Sequence, residues 1–407
     1  MKKVIKIMKK DKRVLFAGKL IESSYKPPCE NAAVVIENGI INKIIYNTDF
    51  NDLKRNFNDY RIIDLSNLTL MAGFIDCHVH LALDGVNFQK AVEQWDCDEL
   101  LFKRLKREFK NYLEKGILAI RDGGDRRLIN ITAKEKCKRE RLDAPIILAS
   151  GFVLNKKGMY GSFLGEGILN NEDIKNAVEM LYQKGVDQIK VLMSGIVSFK
   201  EYGRVGSLQF SLEEAKEIVN EARRHNLKVM AHASSAKAVD MAIKADMDSI
   251  EHGYFLSEEA LDIMAKKEIP WVPTLVPVAN QLKEDTRKFY TEKEIENIER
   301  TLDSQLIRVK QAQEKGVILG IGTDAGAGGV YHAISYFEEL RLFEKAGLSP
   351  TEIFKAATEN SAKIVGLEDK IGGIEEGKLP NLMALEGNPL RDISSYEKIK
   401  YVFITEL

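Results

Sequence analysis

Only six histidines occur in this 407-residue chain: His78, His80, His225, His232, His252 and His332. Two of them stand two apart in the run Phe74-Ile75-Asp76-Cys77-His78-Val79-His80. In an extended strand, residues i and i+2 point to the same side. The run therefore offers two imidazoles from one rigid element. Imidazole is the commonest protein metal ligand, and such a pair suits zinc or a similar ion. The bland alternative is a buried strand with two hydrogen-bonded histidines. The four cysteines, Cys29, Cys77, Cys97 and Cys137, are scattered, with no CxxC spacing. That argues against a cysteine zinc site and fits free thiols in a reducing cytoplasm.

The elements that would position these residues follow a repeated phrase. A charged helix end, often with Gly, is followed by a short apolar strand. Glu114-Lys115-Gly116 precedes Ile117 to Asp122, and Gln183-Lys184-Gly185 precedes Gln188 to Met193. The same phrase introduces Lys228 to His232, Asp248 to His252, Pro270 to Thr274 and Val317 to Asp324. With the opening strand and Pro145 to Ser150, eight strands alternate with helix-like stretches such as Ser211 to His225 and Thr291 to Lys315. Ser211-Leu212-Glu213-Glu214 has the form of a capping box. The pattern predicts an α/β fold, a (β/α)8 TIM barrel. A doubly wound sheet is the alternative, and no GxGxxG follows the first strand to support it.

Before the barrel lie short strands rich in branched residues, with Asn38-Gly39 as a hairpin signal. The C-terminal tail is β-like again. The expectation is a small discontinuous β-sandwich domain, residues 1–70 plus 368–407, beside a catalytic barrel of residues 71–367.

Barrel enzymes place their chemistry at the C-terminal ends of the strands. Strand one ends with His78 and His80, strand five with His232, strand six with His252 and strand eight with Asp324. Strand four contains Lys190. An uncompensated lysine inside a barrel is costly. It could ion-pair with Asp324, point outward, or react with CO2 to give a carbamate whose two oxygens could bridge two cations.

Gly73-Phe74-Ile75-Asp76-Cys77-His78-Val79-His80, Lys190, His232, Glu251-His252-Gly253 and Gly322-Thr323-Asp324-Ala325-Gly326 together resemble the amidohydrolase superfamily. The similarity is to its imidazolonepropionase-related branch, which includes dipeptidases, prolidase-like enzymes and arginine/lysine carboxypeptidases. Gly377-Lys378-Leu379-Pro380-Asn381-Leu382 and Gly387-Asn388-Pro389-Leu390 resemble the family's closing strands. The resemblance implies two divalent metal ions, zinc being the first choice. His78, His80 and Asp324 would hold the inner one and His232 and His252 the outer one, with carboxylated Lys190 bridging. It also implies a bridging hydroxide as nucleophile, with Asp324 as the catalytic proton carrier. Two loops depart from the branch. His232-Ala233-Ser234-Ser235 lacks a second histidine, and Asn155 to Gly161 replaces a Gly-Gly-His turn. Tyr160, Arg204 and His332 are candidate substrate-binding residues. Arg204 would pair with a substrate carboxylate, and Tyr160 would hydrogen-bond the tetrahedral intermediate.

The formal net charge of −1 leaves no positive excess for phosphates, which argues against nucleic acid. No apolar run is long enough for a membrane span. The expected activity is cytoplasmic hydrolysis of an amide (C–N) bond in a small substrate, a dipeptide or N-acyl amino acid first. The rivals are a cyclic-amide hydrolase or deaminase on the same fold, and a non-catalytic metal-binding homologue. Many deaminases use one metal and a glutamate after strand five, and no such glutamate follows His232. The sequence leaves the oligomeric state open, a homo-oligomer included.

Overall fold

A computed structural model describes residues 2–405. The chain is a mixed α/β fold. Its first strands are β1 (Lys3–Lys6), β2 (Arg13–Leu20), β3 (Cys29–Glu37), β4 (Ile40–Ile45) and β5 (Arg61–Ala72). Six short strands follow it: β6 (Phe74–Val79), β7 (Ile117–Asp122), β8 (Ile146–Leu148), β9 (Gln188–Leu192), β10 (Lys228–Ala233) and β11 (Ser249–His252). After them come β12 (Trp271–Val272), β13 (Leu382–Leu385) and β14 (Ile399–Ile404).

Both ends of the chain meet in one seven-stranded mixed sheet of order β1-β14-β13-β5-β2-β3-β4. Alternation decides its two faces. Leu15 and Ala17 pack with Leu70, Leu382 and Phe403, while Val14 and Phe16 pack with Leu53 on the other side. Asn38 and Gly39 join β3 to β4 with φ of 54° and 78°. Two positive angles are what a tight hairpin of this hand requires, so the Asn-Gly signal is borne out.

The six strands from β6 to β11, with β12, are parallel and buried. Every residue of β6, β7 and β9 is buried. Parallel strands covered on both faces read as continuous apolar runs rather than alternating ones. They form two sheets, β6-β7-β8 and β12-β11-β10-β9. Hydrogen bonds also connect the edges of these sheets. Leu154, just beyond β8, pairs with Val191 of β9. On the other side, Trp271 N–H donates to Ile318 O and Gly320 N–H to Trp271 O, while Cys77 N–H donates to Ile321 O and Asp324 N–H to His78 O. The expected eighth strand, Val317 to Asp324, is thus an irregular segment between β12 and β6, held by isolated bridges.

Amphipathic helices lie between the parallel strands. The helix Leu212–Arg224 starts at the Ser211 capping box, with both reciprocal bonds present. The helix Glu292–Lys315 also starts at a capping box, Thr291 with Glu294, and ends at Gly316 in the left-handed region. All four cysteines are free. No helix among the described residues is long and apolar enough to cross a membrane.

Candidate metal centre and active site

The strand ends converge. His78 and His80 leave β6 on one side, as the two-residue spacing requires, with ring centroids 5.5 Å apart. His252 lies 4.9 Å from His78 and 4.4 Å from His232, centroid to centroid. Asp324 Oδ1 stands 3.6 Å from His78 Nε2 and 3.5 Å from His80 Nε2. These three side chains form a group that could hold a metal ion, with their donor atoms within 4.8 Å of one another. Lys190 Nζ lies 3.2 Å from His78 Nε2. Among the described residues no carboxylate is within ion-pair distance of it, so the ion pair with Asp324 considered from sequence is not formed.

Each imidazole is anchored through one nitrogen. His78 Nδ1–H donates to Glu251 Oε2 at 2.9 Å, and His80 Nδ1–H to the Gly124 carbonyl at 3.1 Å. His252 Nδ1 is 2.7 Å from Thr274 Oγ1. His232 is turned the other way, with Nε2 facing the Gly195 carbonyl at 3.4 Å and Ser234 Oγ at 3.2 Å. The second nitrogen of His78, Nε2, faces Lys190 Nζ at 3.2 Å and that of His80 faces Asp324 Oδ1 at 3.5 Å, while among the described residues Nε2 of His252 and Nδ1 of His232 have no hydrogen-bond partner. Burial, reinforced by the Lys190 charge, holds His80 and His232 down to about 3, and burial keeps His78 and His252 well below the ordinary histidine value. All four rings are therefore neutral near pH 7, the state in which a ring nitrogen has a lone pair to give.

Burial also pushes the Asp324 carboxyl up to about 7, against the pull of Lys190, and draws the Lys190 ammonium down to about 8. Two of these residues sit in strained backbone. His252 has φ of 67° and Asp324 of 58°, the left-handed region that costs a non-glycine residue about 1–2 kcal/mol. Asp76 helps hold Asp324 there. Its carboxylate accepts the Thr323 hydroxyl at 2.7 Å and the Thr323 N–H at 3.0 Å.

The sequence alone does not assign the anchoring roles of Glu251 and Arg121. Glu251 is fully buried, and its Oε1 accepts Arg121 Nη2 at 2.7 Å and Ser249 Oγ at 2.6 Å. Arg121 also donates to the Cys77 carbonyl at 2.7 Å, tying β7 to the strand that carries the histidine pair. A signal was available: Arg121 and Glu251 are charged residues inside strands buried on both faces, where an unpaired charge is costly. Asp122 braces the loop after His80 by accepting Leu81 N–H and Gly124 N–H, each at 2.7 Å.

A cavity of about 600 Å³ opens over the cluster and is lined by Lys190, His80, His232, His252 and Asp324 at its floor. Tyr160 is in its wall, its ring 6.4 Å from His232, as is Tyr254, stacked 5.5 Å from His252. The other two substrate-binding candidates lie elsewhere. Arg204 is exposed in a turn beyond β9 and is outside the cavity lining. His332 is buried behind the wall, hydrogen-bonded to Tyr112 Oη at 2.8 Å and to the Leu83 carbonyl at 2.9 Å. Both ring nitrogens are thereby occupied, which makes it a brace for the loop after β6. His225 stacks on Tyr182 at the surface.

The sequence profile of the amidohydrolase family matches residues 69–405. The chain belongs to the amidohydrolase family. The ochratoxinase of Aspergillus niger is 28% identical, over 96% of this chain and 84% of that protein. The imidazolonepropionase of Clostridium tetani is 24% identical, over 88% of this chain and 84% of its own length. Among solved structures, a Xaa-Pro dipeptidase with methionine bound in its active site superposes with a TM-score of 0.79 at 27% identity, covering 96% of this chain and 97% of that one. This amidohydrolase is thus a hydrolase acting on carbon–nitrogen bonds. Metal ions are general in the family, and the resemblance noted from the sequence motifs is borne out.

Proposed function

We propose that this amidohydrolase cleaves an amide bond of a small substrate with the help of two divalent cations, zinc first. One observation carries the reading: His78 and His80 turn Nε2 to within 3.6 and 3.5 Å of Asp324 Oδ1, with Lys190 3.2 Å from His78 Nε2 and the neutral rings of His232 and His252 packed beside them. Neutral nitrogen and carboxylate oxygen donors suit zinc, so the residues present fit the metal. His78, His80 and Asp324 would hold one ion, and His232 and His252 the other. Lys190 would join them as a carbamate. Its neutral amine attacks the carbon of CO2, a C–N bond forms, and one proton leaves to solvent. That conversion would replace a buried, unpaired cation by an anion that cations held at the site would pair. When bound, the metals supply Lewis acidity and lower the pKa of water.

The chain's own groups do the rest. Asp324 takes a proton from the attacking water and returns it to the leaving nitrogen. Tyr160, which lines the cavity beside His232, would donate to the substrate carbonyl oxygen as charge develops on it. Glu251, Arg121 and Thr274 keep the rings oriented. In this reading the parallel strands and the segment Val317 to Asp324 make one (β/α)8 barrel of residues 71–367. Their linked edges support it. Residues 1–70 and 368–407 make a second domain, supported by the sheet in which the chain ends meet.

Metal analysis of purified protein, with Asp324→Asn beside it, tests the reading. Two equivalents of zinc and a loss of turnover of roughly 10²–10⁴-fold in the variant are expected. Wild-type turnover in Asp324→Asn would sink the mechanism.

A further inference from the structure

Away from its floor, the cavity is apolar. Among the described residues, Lys190 and Asp324 are the only Lys, Arg, Asp or Glu side chains in its lining. The walls come from loops after β6, β8, β9, β11 and β12 and from the turn after Asp324, and carry Phe88, Phe163, Ile196, Phe199 and Val278 among others. Phe88 and Phe163 meet edge to face at 5.0 Å, and Phe199 meets Tyr290 the same way at 6.1 Å. Three polar wall groups on the side of Tyr290 are already engaged with one another or with backbone. Tyr290 Oη donates to Gln281 Oε1 at 2.8 Å, Gln281 Nε2 donates to the Pro277 carbonyl at 2.9 Å, and Thr286 Oγ1 donates to the Asn280 carbonyl. The nearest basic residue of the loop after β8, Lys156, is tied to Glu214. Arg204, the cation the sequence offered for a substrate carboxylate, is exposed outside the wall.

The apolar character continues outward. Phe88 is 52% exposed, Val86 73% and Ile196 49%, although all three line the cavity. Large apolar side chains left open at the mouth of a pocket mark a surface that a ligand covers.

We infer that the substrate is a neutral amide with two apolar arms, at least one of them aromatic, and no free carboxylate beside the scissile bond. This rests on the amide-hydrolase reading and replaces the dipeptide and N-acyl amino acid expected from the sequence. A carboxylate carried into this cavity would lose its water and meet no cation among the wall side chains, an unfavourable transfer. An aromatic ring, in contrast, finds aromatic edges and branched aliphatics at the distances rings prefer. Charged groups are confined to the floor, where the carbonyl and the leaving nitrogen must sit.

A matched pair of probes separates the possibilities. N-benzoyl-phenylalanine and N-benzoyl-2-phenylethylamine share the same amide and differ only in the carboxylate. Binding to zinc-loaded protein is measured by calorimetry, and hydrolysis separately by product release. The neutral probe should bind at least about tenfold more tightly. Phe199→Arg, which puts a cation in the wall, should reverse or erase that preference. Equal or tighter binding of the carboxylate probe to the unmodified protein overturns the inference, as does failure of both to bind at millimolar concentration. Tighter binding of the neutral probe with no cleavage of either leaves the pocket assignment standing and removes the amide-hydrolase reading instead.

Discussion

Glu251→Gln changes one atom at the least exposed point of the site. Three donors face this carboxylate: Arg121 Nη2 at 2.7 Å and Ser249 Oγ at 2.6 Å on one oxygen, His78 Nδ1 at 2.9 Å on the other. Glutamine has a single carbonyl oxygen. With that oxygen kept on Arg121 and Ser249, its NH2 group confronts His78 Nδ1. The ring then either loses its anchor or moves its proton to Nε2, the nitrogen 3.6 Å from Asp324 Oδ1. A protonated Nε2 cannot ligate a metal. Loss of such a supporting partner typically weakens metal affinity by about 10–100-fold. The lost hydrogen bonds to charged groups and the unbalanced Arg121 charge add a stability cost of about 2–3 kcal/mol. Zinc affinity is read by competition with a chelator, and stability by urea unfolding of the metal-free protein. Part of the lost turnover should return at saturating zinc, because the catalytic groups remain. A folded variant with wild-type zinc affinity would refute the role assigned to Glu251.

Three other outcomes follow from the same geometry. Lys190→Met should bind less than two equivalents of zinc. It should also lack the carbamate signal expected in the carbon-13 NMR spectrum of zinc-loaded wild type under labelled CO2, and a wild-type spectrum without that signal would count against carboxylation. Gly123→Ala would place a Cβ 2.7 Å from His80 Cε1 and 2.9 Å from its Nε2. That ring is held by Gly124, so the variant should lose about 1–3 kcal/mol of stability together with zinc affinity, measured as for Glu251→Gln. Burial, foremost among the causes, holds Asp122 at about 7 and Glu339 at about 8 in the folded chain. The unfolded chain releases these protons near pH 4. The four histidines held below their ordinary value act in the opposite sense up to about pH 6.5, so the carboxyls decide the sign only above it: there the folded state binds more protons, and the stability of metal-free protein should fall as pH rises from about 7 to 8. Urea unfolding at pH 7 and pH 8 checks the sign.

Much of the site was legible because its residues are few and their types are specialised. Six histidines made placement informative, and the two-residue spacing of His78 and His80 has one geometric meaning in a strand. The α/β alternation was readable for the same reason, since buried parallel strands are short unbroken apolar runs. Arg204 and His332 show where such reading stops. Both follow strands that feed the site, and sequence proximity could not tell an exposed turn or a doubly bonded brace from a wall residue. Glu251 and Arg121 stood in plain view as charges in apolar strands, yet their partner lay on another strand.

The sequence by itself determined the ligand types, the strand-end phrase that brings them forward and the family to which the chain belongs. Those features are local, set by side-chain chemistry and by the two-residue period of a strand. The tertiary structure alone decided which ring nitrogen each histidine turns inward, because that depends on Glu251, Gly124, Thr274 and Gly195 arriving from other elements. It alone decided the character of the cavity as well. Loops far apart in sequence contribute its walls, and only their meeting makes them apolar together and leaves a substrate carboxylate without a wall cation.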